Sequence, residues 1–123
     1  MAQDNNVLNK SFEFSVRIIR LYQHLSKEQK EYVLSKQLLR SGTSIGANIN
    51  EAQAGQSKAD FAAKMSISSK EARETKYWLG LLCATGYLDK SQPHLTSLLK
   101  QSEELIKIIT AIVKRTQENL KIK

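Results

Sequence analysis

The chain has 123 residues, 19 of them Lys or Arg and 12 Asp or Glu, for a formal net charge of +7; this length fits one domain, 1–123, with a real core, since chains usually divide only beyond roughly 250 residues. A single Cys excludes an intrachain disulfide framework and a Cys-rich zinc site, and one Pro with five Gly argues against a turn-rich sandwich or barrel. No apolar run is long enough to cross a bilayer, and the polar start Met1-Ala2-Gln3-Asp4-Asn5-Asn6 lacks a signal-peptide pattern, so a cytoplasmic protein is expected.

The first predicted helix covers about 7–25. Leu8, Phe12, Ser15, Ile19 and Tyr22 alternate spacings of four and three. Phe14, Ile18, Leu21 and Leu25 form a second stripe beside them, giving the broad apolar face of a core-facing helix. The second helix, about 27–54, is expected to open at Ser26, with Gln29 three residues on as a capping box. Leu34, Leu38, Ile45, Ile49 and Ala52 share its inner face. Gly42 and Gly46 fall inside this pattern, each costing about 1 kcal/mol in a helix interior. Either the helix breaks or kinks there, or these residues admit a close neighbour. The small run Ser41, Gly42, Ser44, Gly46 and Ala47 favours close contact.

The third helix, about 58–85, has a variant capping box in Ser57-Lys58-Ala59-Asp60. Phe61, Met65, Ser68, Ala72, Thr75, Leu79 and Leu82 keep four-three spacing through three heptads, a period that packs against a partner helix at about 20°. Gly86 is placed to close it in a left-handed turn, with Tyr87 and Leu88 packing back. The fourth, about 92–120, starts near Ser91 with Pro93 in its first turn. Leu95, Leu98, Ser102, Leu105, Ile109, Ile112 and Thr116 form its stripe, and Lys121-Ile122-Lys123 is expected to fray. Four such helices with short connections imply an all-α, antiparallel up-down-up-down four-helix bundle.

Catalytic patterns are sparse. A di-iron bundle site needs Glu-x-x-His pairs, and neither His24 nor His94 follows a Glu by three, so no metal and no cofactor is expected. Cys83 in Leu81-Leu82-Cys83-Ala84 reads as inert packing, and no nucleophile elbow or phosphate-binding Gly loop is present. Arg40, Asn48, Asn50, Glu51, Glu71 and Glu74 form a polar set beside the apolar stripes. A Glu pair there could in principle move protons, but ion pairing between adjacent helices is the better reading, so Arg40, Asn48, Glu51, Glu71 and Glu74 are assigned to a structural network. Tyr77 and Trp78 point about 100° apart. Trp78 suits either a subunit interface or packing within one chain. Net charge rises from +1 over residues 1–25 to +3 over 89–123. Arg17, Arg20, Lys107, Lys114, Arg115 and Lys121 are the candidate phosphate contacts.

The ordered motifs Ser35-Lys36-Gln37-Leu38-Leu39-Arg40-Ser41, Ser44-Ile45-x-x-Asn48-Ile49-x-Glu51-Ala52, Ser57-x-x-Asp60-Phe61 and Lys70-Glu71-Ala72-Arg73-Glu74-Thr75-x-Tyr77-Trp78-Leu79 resemble the four helix bundle protein family. These are the 23S rRNA-intervening-sequence proteins, some encoded inside inserts in bacterial large-subunit rRNA genes. The accessory variability determinant protein of diversity-generating retroelements, which works with a reverse transcriptase and RNA, resembles the same family. The resemblance spans about Phe12 to Leu120. Where many relatives have Glu followed by Gly, this chain has Glu51-Ala52. The resemblance implies a homopentamer with a basic surface and non-enzymatic binding of nucleic acid, structured RNA or RNA/DNA. A structural or adaptor protein binding another protein, its charge serving solubility, is the alternative.

Overall fold

The computed structural model describes residues 2–121, with side chains from residue 6 onward; Ile122 and Lys123 of the predicted fraying tail lie outside the described residues. Four helices account for most of the chain: α1 Ala2–Lys27, α2 Leu34–Gln53, α3 Lys58–Ala84 and α4 Pro93–Lys121. No strand occurs among the described residues. Helix α1 packs on α2, α2 on α3, α3 on α4 and α4 on α1, in the manner of a four-helix bundle, with the α1–α4 seam the loosest of the four.

The core follows the apolar periodicity of α2, α3 and α4 closely. Leu38, Ile45, Ile49 and Ala52 are buried on α2, and Met65, Ser68, Ala72, Thr75, Leu79 and Leu82 on α3. Helix α4 buries Leu95, Leu98, Ser102, Leu105, Ile109 and Ile112. Buried hydroxyls tie α3 to α2: Ser68 Oγ donates to Ile45 O at 2.9 Å, and the Thr75 and Ser41 hydroxyls lie 3.0 Å apart. Each satisfies a polar group that burial would otherwise strand.

Helix α1 departs from expectation. Its buried stripe is Val7, Ser11, Phe14, Ile18 and Leu25, while Phe12 is 70% and Ile19 40% exposed. Both apolar stripes are present, but the protomer covers one of them.

The start of α2 is a correction. The predicted capping box at Ser26 does not form, and the helix begins at Leu34 rather than near 27. Ser26 Oγ donates instead to Tyr22 O at 2.9 Å, so α1 continues through Lys27. Lys30 then takes a left-handed φ of 58° and reverses the chain. The cap comes from Glu31, only 8% exposed, whose carboxylate accepts from the N–H groups of Ser35 (2.7 Å), Leu34 (3.0 Å) and Val33 (3.2 Å). Those are first-turn donors with no intrahelical partner. Burial opposes ionisation of Glu31, yet these N–H groups outweigh it and hold its carboxyl below the usual carboxylate range.

Gly42 and Gly46 lie inside an unbroken α2. A Cβ at Gly42 would sit 2.8 Å from Ile18 Cγ2, and one at Gly46 would sit 3.3 Å from Ser15 Oγ, so both permit the approach of α1. Ser57 Oγ accepts from Asp60 N at 3.1 Å and caps α3. At the other end Gly86 has φ 87°. Tyr87 N donates to Leu82 O at 3.0 Å and Gly86 N to Cys83 O at 3.2 Å, the paired bonds of a Schellman closure. Leu88 packs against the core behind it.

Candidate nucleic-acid interface

The six predicted phosphate contacts fall in two places. Arg17 and Arg20 lie on α1 against the start of α4, where Arg17 Nη2 donates to His94 O at 2.7 Å and Nη1 to Gln101 Oε1 at 2.8 Å. Lys107, Lys114, Arg115 and Lys121 are exposed along α4. At 1.5 Å per residue, Lys114 sits about 30 Å along the helix from His94. No single patch contains all six.

The α4 set has an order of its own. Lys100, Lys107, Lys114 and Lys121 are spaced by seven residues, and all four are exposed. Successive members stand about 10.5 Å apart and drift only about 20° around the helix. They form a cationic stripe down one helix. Lys100 was not among the residues selected from the sequence, although the heptad spacing that selects it is visible there. Acidic neighbours crowd the Lys100 end. Glu104 pairs with Lys10 at 2.7 Å, and Glu103 with Lys76 at 2.7 Å. The Lys76 contact, against the opposing effect of burial, holds the Glu103 carboxyl below its usual range. Toward Lys121 only Glu118 intervenes, so the stripe grows more positive along α4. The negative end of the helix dipole favours that placement of cations.

The predicted polar set divides as well. Arg40 Nη2 pairs with Glu74, and Arg40 Nη1 lies 3.5 Å from Glu71 Oε1. Glu74 Oε2 also accepts from Trp78 Nε1 at 3.0 Å. That indole bond, ahead of the opposing effect of burial and the help of Arg40, holds the Glu74 carboxyl below its usual range. A carboxylate so held stays charged at neutral pH and has no proton to give as a general acid. Asn48 is not part of this cluster, because its amide donates to Ser44 O of its own helix at 2.8 Å. Glu51 is apart too, exposed and 2.8 Å from Lys64. Trp78 packs against the core while Tyr77 stands 60% exposed, their rings edge-on at 5.2 Å.

Among the described residues, no group of three or more His, Cys, Asp or Glu could hold a metal ion, and no helix is long and apolar enough to cross a membrane. Burial pushes the Cys83 thiol up, away from the thiolate a nucleophile requires.

The model of the 23S rRNA-intervening sequence protein family matches residues 3–111. The chain belongs to that family. A solved member of the S23 ribosomal protein family, a protein of unknown function from Bacteroides thetaiotaomicron, is 53% identical. The match covers 91% of this chain and 98% of that one, with a TM-score of 0.86. No functionally curated protein matches. The family match takes in α1, α2, α3 and α4 as far as Ala111, so Lys100 and Lys107 lie within the 23S rRNA-intervening sequence domain, and Lys114 and Lys121 continue the stripe past the matched residues.

Proposed function

We propose that this is a non-enzymatic, cytoplasmic, oligomeric protein that binds structured RNA or RNA/DNA through phosphate contacts. The observation that carries this reading is the exposed Lys100-Lys107-Lys114-Lys121 stripe on α4, which has the charge and the linear form to track a phosphate backbone. The protomer is an antiparallel up-down-up-down bundle. Support comes from the opposite residue order of its contacts: Lys10 meets Glu104 and Arg17 meets Ser97; Arg40 meets Glu74 and Glu51 meets Lys64. Five copies, each carrying +7, would join these stripes into one strongly cationic assembly of the kind that steers polyanions.

Binding of a labelled RNA hairpin, followed by fluorescence anisotropy from about 50 to 200 mM KCl, tests the reading. The logarithm of the association constant should fall linearly with the logarithm of salt. Replacing Lys107 and Lys114 with Gln should weaken binding uniformly across sequences and flatten that slope by about 1 to 2. An affinity that is absent at low salt, or indifferent to salt, would sink it. The adaptor reading has an observation of its own in the exposed Tyr32, Val33 and Tyr77, and co-purification of one protein after nuclease treatment would favour it.

A further inference from the structure

The loose α1–α4 seam opens, at the end of the bundle nearest the α3–α4 connection, into a cavity of about 500 Å³. That size falls in the range of small-molecule sites. Its lining mixes two chemistries. Arg17, Arg20, His24 and His94 supply polar side chains, and Leu21, Tyr87, Leu88, Leu95 and Leu98 supply apolar ones, Leu95 and Leu98 being buried.

Among the described residues, the two arginines of the lining have no acidic partner. Lys10, Arg40, Lys64 and Lys76 each have a carboxylate within ion-pairing distance, but among the described residues neither Arg17 nor Arg20 does. Arg17 is held in place by Ser97 (3.2 Å), Gln101 and the His94 carbonyl, and all three partners are neutral. Asp89 is the one acid at the cavity, and its Oδ1 is occupied by the N–H (3.0 Å) and hydroxyl (2.7 Å) of Ser91. The far corner is fixed by Gln29, whose Nε2 donates to Tyr87 O at 2.8 Å and lies 3.2 Å from His24 Nε2. Residues separated by up to 77 positions are thus bound into one rim.

We infer that this cavity binds a nucleotide through its phosphate ester, with the phosphate at Arg17 and Arg20 and the base against Tyr87, Leu88 and Leu95. A guanidinium pinned as that of Arg17 is, beside the exposed one of Arg20, suits phosphate oxygens. A base has an apolar face for the lining leucines and hydrogen-bonding edges for the Gln92 and His94 side chains. Inorganic phosphate would leave the apolar part of the lining uncovered. A fatty carboxylate would make no use of the Gln92 and His94 side chains in the lining. The nucleotide could be free or the terminal residue of an RNA strand, and in the latter case the site rests on the RNA-binding reading above.

Calorimetric titration of the full chain tests this. 5′-AMP should bind with a dissociation constant tighter than about 1 mM. Adenosine and inorganic phosphate should each bind at least tenfold more weakly, because each satisfies only one kind of lining residue. Arg20→Ala, at an exposed side chain, should weaken 5′-AMP at least tenfold without changing the melting temperature. Competition by a 5′-phosphorylated RNA oligonucleotide but not by its 5′-hydroxyl form would mark the strand end as the source; no competition by either would mark the free nucleotide. No saturable 5′-AMP binding, equal binding of adenosine, an unaffected Arg20→Ala, or preference for decanoate would each overturn the proposal. The titration does not involve the lysine stripe, so loss of hairpin binding and loss of nucleotide binding are separate results.

Discussion

At the scale of single residues, two glycines in helix interiors have opposite roles. Gly80 lies exposed in α3, where a Cβ would meet nothing within 4 Å. Gly80→Ala should therefore stabilise by about 0.5–1 kcal/mol, through helix propensity and a less flexible unfolded chain. Gly42→Ala gains the same propensity but places its Cβ 2.8 Å from Cγ2 and 3.0 Å from Cγ1 of Ile18. Ile18 is fully buried and β-branched, so it has little room to turn aside. Overpacking of this kind costs about 1–3 kcal/mol, which exceeds the propensity gain. Urea unfolding of the two variants beside the parent should move the midpoints in opposite directions; a stabilised Gly42→Ala would show that α1 and α2 are not in close contact at this point.

At the scale of elements, the decisive local feature is the Glu31 cap on α2. Glu31→Gln removes the charge facing three N–H groups and should cost about 1 kcal/mol at pH 7, or about 4 °C in Tm. The sign with pH follows from linkage. The folded-state carboxyl is lowered below 4.5, so its contribution is fully present above that value. It is lost as pH falls through the lowered folded value, where the unfolded state already binds the proton. Melting curves of parent and Glu31→Gln should be separated above about pH 5 and converge as pH falls through the lowered folded value. A gap unchanged across that window would mean the carboxylate charge is not what caps α2.

This cap also shows where the sequence was legible and where it was not. Helix α4 opposes one apolar face to one polar face, and α3 keeps its four-three stripe through three heptads, so periodicity identifies their buried residues directly. The Ser57 cap and the Gly86 closure are local patterns, each completed within a few residues, and both formed. Ser26 offered an equally good local pattern, but its hydroxyl had a competing acceptor one turn back at Tyr22 O, and Glu31 took the α2 donors. Short-range rules cannot rank such competitors. The candidate site divides in the same way. The lysine stripe is a spacing within one helix and can be read from the chain. The rim joining Arg17, His24, Gln29, Tyr87 and His94 depends on which helix ends meet, information that exists only once the bundle is assembled.

At the scale of the whole molecule, the stripe of α1 that carries Phe12 and Ile19 is the part that the protomer leaves uncovered. Phe12, Val16 and Ile19 remain exposed beside a groove formed with Thr43, Gly46 and Ala47 of α2. A second apolar patch is centred on Tyr77, exposed on α3. Helices α1 and α3 are diagonal partners in the bundle and do not pack on each other, so these two patches face different sides. An isologous dimer would cover one patch and leave the other in water. A head-to-tail contact joins the two unlike patches, and repeating it closes a ring, which fits the proposed pentamer. Phe12→Glu and Tyr77→Glu should each reduce the assembly to 13.9 kDa protomers in light scattering. Mixed together, the two variants keep one intact pair of patches between them and should form a dimer of twice that mass, never a ring. If Tyr77→Glu leaves the assembly intact while Phe12→Glu dissolves it, the contact is between like patches, and no head-to-tail ring can be built from it.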